Sequence, residues 1–330
     1  MADDQVPKWE GDFRILALDG GGIRGLFSAA VLAKLEQKCS TTIIDHFDLI
    51  TGTSTGGIIA LGLGLGMRPR EIVEFYVEHG PSIFGNLFGW RWLLHWAWRK
   101  FPQHHLQDAL QSPAALGEKL FGASSKRLVI PSYNLGADRV RVFKTPHHKK
   151  LTTDWQIPAW KIALATSAAP TYFPVCRHIE RTRLVDGGVW ANNPAMVGVV
   201  EAISMLGAER DQIKVFSIGT TDSRIRRGKA LNSGGKSQWI WNANVLDVLM
   251  RGQSVGVNGQ VQHLIGEKKV FRIDPMVPDG IFSLDKLTTD ELLAEAEDAA
   301  LCHNPRFTTD FIDHKATEYQ PLYSPNVKEG

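Results

Sequence analysis

The 330 residues are enough to bury a large core, as one large domain or two ordinary ones. Hydrophobic content of 43% and charged content of 22% are those of a globular protein, and a net charge of +2 argues against a binder of nucleic-acid polymers that works through global charge. No signal peptide is expected in the acidic start Met1-Ala2-Asp3-Asp4-Gln5, no apolar run is long enough to span a membrane, and Cys39, Cys176 and Cys302 read as reduced thiols of a cytoplasmic protein, outside any metal-ligand spacing.

Phe13 to Leu18 reads as the first strand. It ends in the glycine loop Asp19-Gly20-Gly21-Gly22-Ile23-Arg24-Gly25, and a helical pattern follows from Leu26 to Lys38. The order then repeats: an apolar run to Thr51, the turn Gly52-Thr53-Ser54-Thr55-Gly56, and a second helical run. Strand, sharp turn and helix are the context of a nucleophile elbow, which lifts a serine Oγ clear of the sheet. Gly52 and Gly56 let strand and helix approach closely, and the helix N-terminus offers free N–H groups beside Ser54. The competing reading is a tight turn with a serine N-cap. The alternation predicts a mostly parallel sheet with helices on both faces and a ligand at the carboxyl ends of its strands.

Gly20, Gly22 and Gly25 also satisfy the spacing of a dinucleotide cradle, as in a nucleotide-cofactor oxidoreductase. That use needs an acidic residue closing the second strand. Asp45 and Asp48 are near the required distance, but Asp48 precedes the strand core and the Ser54 turn occupies its end. A Walker loop needs Gly-Lys-Ser/Thr, which Arg24-Gly25-Leu26 does not supply. The loop is better used as an oxyanion hole, with converging N–H groups and the charge of Arg24 nearby.

Residues 67–122 read as an excursion from the core. Pro69 to His79 has helical spacing, and an aromatic stretch from Phe84 to Phe101 holds Trp90, Trp92, Trp96 and Trp98. As a helix it would align Arg91, His95 and Arg99 in one polar stripe, and suits a membrane interface, a lid over the site, or a core helix with one wet edge. Arg127 to Ser132 and Val140 to Lys144 are expected as strands, and Trp160 to Thr166 as a helix. A strand from Thr182 to Val185 leads into Asp186-Gly187-Gly188, Asn192-Asn193-Pro194 starts a helix, and Lys214 to Ile218 is a buried strand. Beyond Asp222, Arg224, Arg226, Arg227 and Lys229 lie in a Gly- and Ser-containing loop, followed by a helix from Trp239, a strand at Val270 to Ile273 and a capping box at Thr288 to Glu291.

A serine nucleophile needs a base. Asp186 closes a strand and so lies on the edge of Ser54; either it contacts Ser54 directly, or a histidine among His263, His303 and His314 completes a triad. A direct dyad needs burial to raise the carboxylate pKa, or a helix N-terminus to stabilise the alkoxide. The motifs Asp19 to Gly25, Gly52 to Gly57, Ala165-Thr-Ser-Ala-Ala-Pro-Thr-Tyr-Phe-Pro174, Asp186 to Gly188 and Ser217-Ile-Gly-Thr220 occur in that order. Together they resemble the patatin-like phospholipase family. The resemblance implies a three-layer α/β/α patatin-like fold with a mostly parallel central sheet. It also implies a Ser54–Asp186 dyad, an oxyanion hole within Gly20, Gly21, Gly22, Arg24 and Gly25, and metal-free, cofactor-free hydrolysis of lipid acyl esters.

The compact layout is similar to bacterial patatin-like effectors of anti-phage signalling. That likeness implies a cyclic di- or oligonucleotide activator, action on the phospholipid of the inner membrane from the cytoplasm, and self-association on activation. A constitutive lipid acyl hydrolase is the alternative. Residues 13–205 are expected as the phospholipase core, and 206–330 as an extension that completes the sheet and packs on the core. Arg224, Arg226 and Arg227 are the candidate nucleotide contacts, since guanidinium groups suit phosphates.

Overall fold

A computed structural model of the chain describes residues 6–84, 101–223, 244–277 and 289–324. The strands β1 (Phe13–Leu18), β2 (Leu49–Gly52), β3 (Arg127–Asn134), β4 (Arg139–Lys144), β5 (Leu184–Asp186), β6 (Ile213–Ile218) and β8 (Val270–Ile273) form one seven-stranded sheet. Its order is β4-β3-β2-β1-β6-β8, with β5 also against β3. The neighbours from β3 through β8 are parallel, whereas β4 and β5 run antiparallel to β3. The two-residue strands β7 (Asp222–Ser223) and β9 (Met276–Val277) pair separately.

The helices are α1 (Gly25–Cys39), α2 (Thr55–Gly64), α3 (Pro69–Phe84), α4 (Gln103–Gln111), α5 (Ala159–Thr166), α6 (Ala195–Ser204), α7 (Asn244–Ile265) and α8 (Thr289–Phe307). They cover both faces. β1 is buried along its whole length and its alternate residues enter different cores. Leu16 and Leu18 join α1, α2, α3, α5 and α8, while Phe13, Ile15 and Ala17 join α6 and α7. α2 is buried all round, which explains its unbroken run of apolar and glycine residues. α8 is held by rings: Phe307 and its successor Phe311 lie against Phe216 of β6 at centroid distances of 5.0 and 5.5 Å. Each such side chain, fully buried, is worth about 1.5–3 kcal/mol.

Residues beyond 205 thus enter the sheet itself, β6 beside β1 and β8 beside β6. The tail beyond Thr317 is irregular, as expected. It is pinned at the amino ends of the strands, where the Thr317 N–H donates to Asp48 Oδ1 at 3.0 Å. Asp48 also binds His314 Nε2 and accepts the Arg14 N–H, so it is a structural anchor at the end of β2 remote from Ser54.

The strand leading to Asp186 needs a correction. An extra parallel strand would have set Asp186 on the shared carboxyl edge. Instead β5 comes in antiparallel. β2 occupies the edge of β3 opposite Arg127–Val129, and β5 occupies the same edge opposite Ser132–Asn134. The two strands therefore point at each other, end to end, and Ser54 and Asp186 meet in the gap.

Candidate active site

Ser54 links β2 to α2 with φ 56° and ψ −124°, a region costly to any residue with a Cβ. Packing holds it there. A Cβ on Gly52 would overlap the Gly56 carbonyl, and one on Gly56 would overlap that of Leu18, so the turn closes only around glycine. The Ser54 N–H donates to Thr166 Oγ1 at 3.0 Å, and that hydroxyl donates to Pro131 O at 2.6 Å. Thr166, the last residue of α5, is a brace that sequence reading did not single out.

The Ser54 hydroxyl donates to Asp186 Oδ2 at 2.6 Å. Asp186 Oδ1 accepts the Gly188 N–H at 2.7 Å, and the Gly187 N–H donates to Thr166 O at 3.3 Å. Burial pushes the Asp186 carboxyl up to about 6, against the pull of its bonds from Ser54 and Gly188. Desolvation thus shifts the carboxylate in the direction a direct dyad requires. The three histidines offered for a triad lie elsewhere: His314 bonds to Asp48, His303 packs on Phe271, and His263 is exposed on α7.

The glycine loop sits over Ser54. A Cβ on Gly20 would come within 3.1 Å of Ser54 Cβ. The loop's donors divide. Gly20 N–H is spent on Asn192 O, Arg24 N–H on Gly21 O, and Gly25 N–H on the carbonyls of Gly22 and Ile23. Among the described residues the N–H groups of Gly21 and Gly22, and that of Thr55 heading α2, have no protein acceptor. This narrows the expected set: Gly20, Arg24 and Gly25 shape the loop, and Gly21 and Gly22 offer its donors. The Arg24 side chain reaches Gly21 O at 3.3 Å and Thr221 O at 2.9 Å, fastening the loop to the segment after β6. Thr220 Oγ1 donates to Gly20 O at 3.1 Å.

Asp19, at the end of β1, is paired in two-pronged fashion with Arg272 of β8 at 2.7 and 3.2 Å. Arg272 also donates to Ser217 Oγ at 2.6 Å and Asp274 Oδ2 at 2.8 Å. Burial opposes the guanidinium charge, but the two carboxylates outweigh it and hold Arg272 above its ordinary value. The only signal in the sequence was an arginine inside an otherwise apolar strand.

Beside Val185 of β5 opens an apolar cavity of about 560 Å³, lined by Tyr133, Ala168, Phe173, Val185, Val189 and Trp190 among others. Phe173 also packs edge-on against Phe84, 6.1 Å away, and lies 5.7 Å from Phe101. Both flanks of the aromatic stretch thus converge on the cavity wall. Trp90, Trp92, Trp96 and Trp98 themselves lie outside the described residues, as do Arg224, Arg226 and Arg227.

A family profile described as Patatin-like phospholipase matches residues 16–199, from within β1 into α6, and spans the motifs Asp19 to Gly25, Gly52 to Gly57, Ala165 to Pro174 and Asp186 to Gly188. The chain belongs to the patatin-like phospholipase family. A cGAMP-activated phospholipase of Pseudomonas aeruginosa is 34% identical to this patatin-like chain over 272 residues, which are 81% of this chain and 80% of that one. Patatin-like protein 4 of Arabidopsis thaliana is 32% identical over 332 residues, covering 87% of this chain and 82% of its own length. In fold, the patatin-like structure resembles VipD from Legionella pneumophila, with a TM-score of 0.51 at 12% identity, over 94% of this chain and 72% of that one. No helix among the described residues is long and apolar enough to cross a membrane.

Proposed function

We propose that this patatin-like protein hydrolyses fatty-acyl esters of membrane phospholipids, with Ser54 as nucleophile and Asp186 as its base. The observation that carries the reading is the 2.6 Å hydrogen bond from a strained, buried serine to a buried carboxylate. Ser54 Oγ attacks the ester carbonyl and its proton passes to Asp186. The oxyanion forms beside the Gly21, Gly22 and Thr55 N–H groups, whose dipoles are fixed beforehand. Asp186 then protonates the departing alcohol, and water releases the fatty acid from Ser54. The apolar cavity beside Val185 of β5 takes the acyl chain. The tryptophan-rich stretch, whose flanks converge on the cavity wall, meets the bilayer at the inner face of the membrane.

Control by a cyclic oligonucleotide, in antiviral defence, is the second part of the proposal. The name of the Pseudomonas aeruginosa relative supports it. So does the path of the chain: the Arg24–Thr221 contact ties the glycine loop to the segment that leads into Arg224, Arg226 and Arg227. In this reading residues 206–330 carry the regulatory part, and activation brings copies of the chain together. A constitutive lipid acyl hydrolase without nucleotide control is the second reading.

Release of fatty acid from phospholipid vesicles, measured with and without a panel of cyclic nucleotides, tests both. Release that Ser54→Ala abolishes supports the hydrolase. Stimulation by one nucleotide supports control, and equal release under all conditions supports the constitutive reading.

A further inference from the structure

Asn192 follows the Asp186-Gly187-Gly188 turn and is 7% exposed. Its backbone is fully engaged: the N–H donates to Gln253 Oε1 at 3.2 Å, and the carbonyl accepts the Gly20 N–H at 3.0 Å. Its Nδ2 donates to Ser254 Oγ of α7 at 3.0 Å. Its Oδ1 has no donor among the described residues. A buried amide carbonyl left without a donor costs about 1–3 kcal/mol, so its orientation calls for a cause.

Ser254 supplies one. Its Oγ takes an Nδ2 hydrogen of Asn192 at 3.0 Å, which fixes the amine end of the amide on the α7 side and turns Oδ1 the other way.

That way is the reaction centre. Asn192 Oδ1 and Ser54 Cβ lie 2.7 and 3.1 Å from the point where a Gly20 side chain would begin. Asn192 Oδ1 and Asp186 Oδ1 each lie 3.1 Å from the corresponding point on Gly188. The bare carbonyl thus lies against Gly20 and Gly188, beside the nucleophile, the base and the glycine loop.

We infer that Asn192 Oδ1 holds the water that releases the acyl group from Ser54. This rests on the serine-hydrolase reading above. In that step the water oxygen bonds to the acyl carbon, and one water proton goes to Asp186. The other O–H stays bonded to Asn192 Oδ1, which aims the oxygen. The bond from the acyl carbon to Ser54 Oγ then breaks, Ser54 takes the proton back from Asp186, and the fatty acid leaves. The first half of the cycle needs no water, and so does not need Asn192.

The test separates the halves. Asn192→Ala and, as a milder variant, Ser254→Ala are compared with the wild type in labelling of Ser54 by a fluorophosphonate and in hydrolysis of p-nitrophenyl butyrate. Labelling should stay within about threefold of wild type, whereas kcat should fall about tenfold or more in Asn192→Ala, with KM falling in parallel. A stoichiometric burst of nitrophenol and a butyryl adduct on Ser54 by intact mass should accompany it. Ser254→Ala should show the same pattern to a smaller degree. Labelling and turnover falling together in both variants would mark Asn192 as a structural strut and overturn the inference, as would unchanged kcat. Failure of the wild type to be labelled at Ser54 would overturn the hydrolase reading itself.

Discussion

Across the 2.6 Å between Ser54 and Asp186, the proposed mechanism passes a proton to a carboxylate whose affinity for it burial raises. The Asp186 carboxyl sits at about 6, so kcat/KM should climb as pH rises through about 6 and level off above it. A profile flat from pH 5 to 8, or one that follows a histidine removed by substitution at His263, His303 or His314, would count against Asp186 as base. Ser54→Ala and Asp186→Asn should each lower turnover by at least about 10³-fold while leaving the protein folded. The same pKa fixes a stability effect. Because the folded value is raised, the contribution of Asp186 to stability is complete below about pH 4 and is lost as pH rises through about 6. Asp186→Asn keeps the group neutral, so near pH 7.5 it should be more stable than wild type, by up to about 3 kcal/mol. Urea unfolding at pH 7.5 and pH 4 measures this, and the gain should vanish at the lower pH.

Among the elements, β2, α2 and their joining turn were legible in the sequence because the strand-turn-helix order and glycine spacing are local. The same holds for β1, α1 and the hairpin of β3 and β4. The direction of β5 was not legible. Three residues carry no periodicity long enough to tell parallel from antiparallel, and the pairing that decides it is with β3, far away in the chain. The division of labour in the glycine loop was equally hidden, since Asn192 O, which takes the Gly20 N–H, and Thr220 come from other elements. The cavity beside β5 belongs to this scale too. Val189→Trp should fill part of it. kcat/KM on long-chain esters should then fall about tenfold or more, while butyrate esters stay within about twofold. Equal losses on both would show that the cavity does not hold the chain.

For the molecule as a whole, Arg272 joins β8 to the end of β1, at the root of the glycine loop. Arg272→Met leaves Asp19 buried and unpaired, and should cost about 3–5 kcal/mol in urea unfolding. Adding Asp19→Asn should recover much of that loss, and no recovery would mean that shape matters there more than charge. Regulation is tested at the same scale: with Arg224, Arg226 and Arg227 changed together to Ala, the activation curve for a stimulating nucleotide should shift its midpoint at least about tenfold. An unmoved curve would remove this loop as the sensor. The end-to-end meeting of β2 and β5 also bears on how the enzyme comes into being. Ser54 and Asp186, the proposed nucleophile and base, are 132 residues apart in sequence, a contact late to form in a chain that grows from its N-terminus. A ribosome that has released only the first 134 residues has made β1 through β3 and the serine turn, but neither β5 nor Asp186. Refolding from urea should show the same order, with helical signal returning before activity. Under the proposed mechanism, a protein that attacks lipid is thus harmless throughout most of its own synthesis.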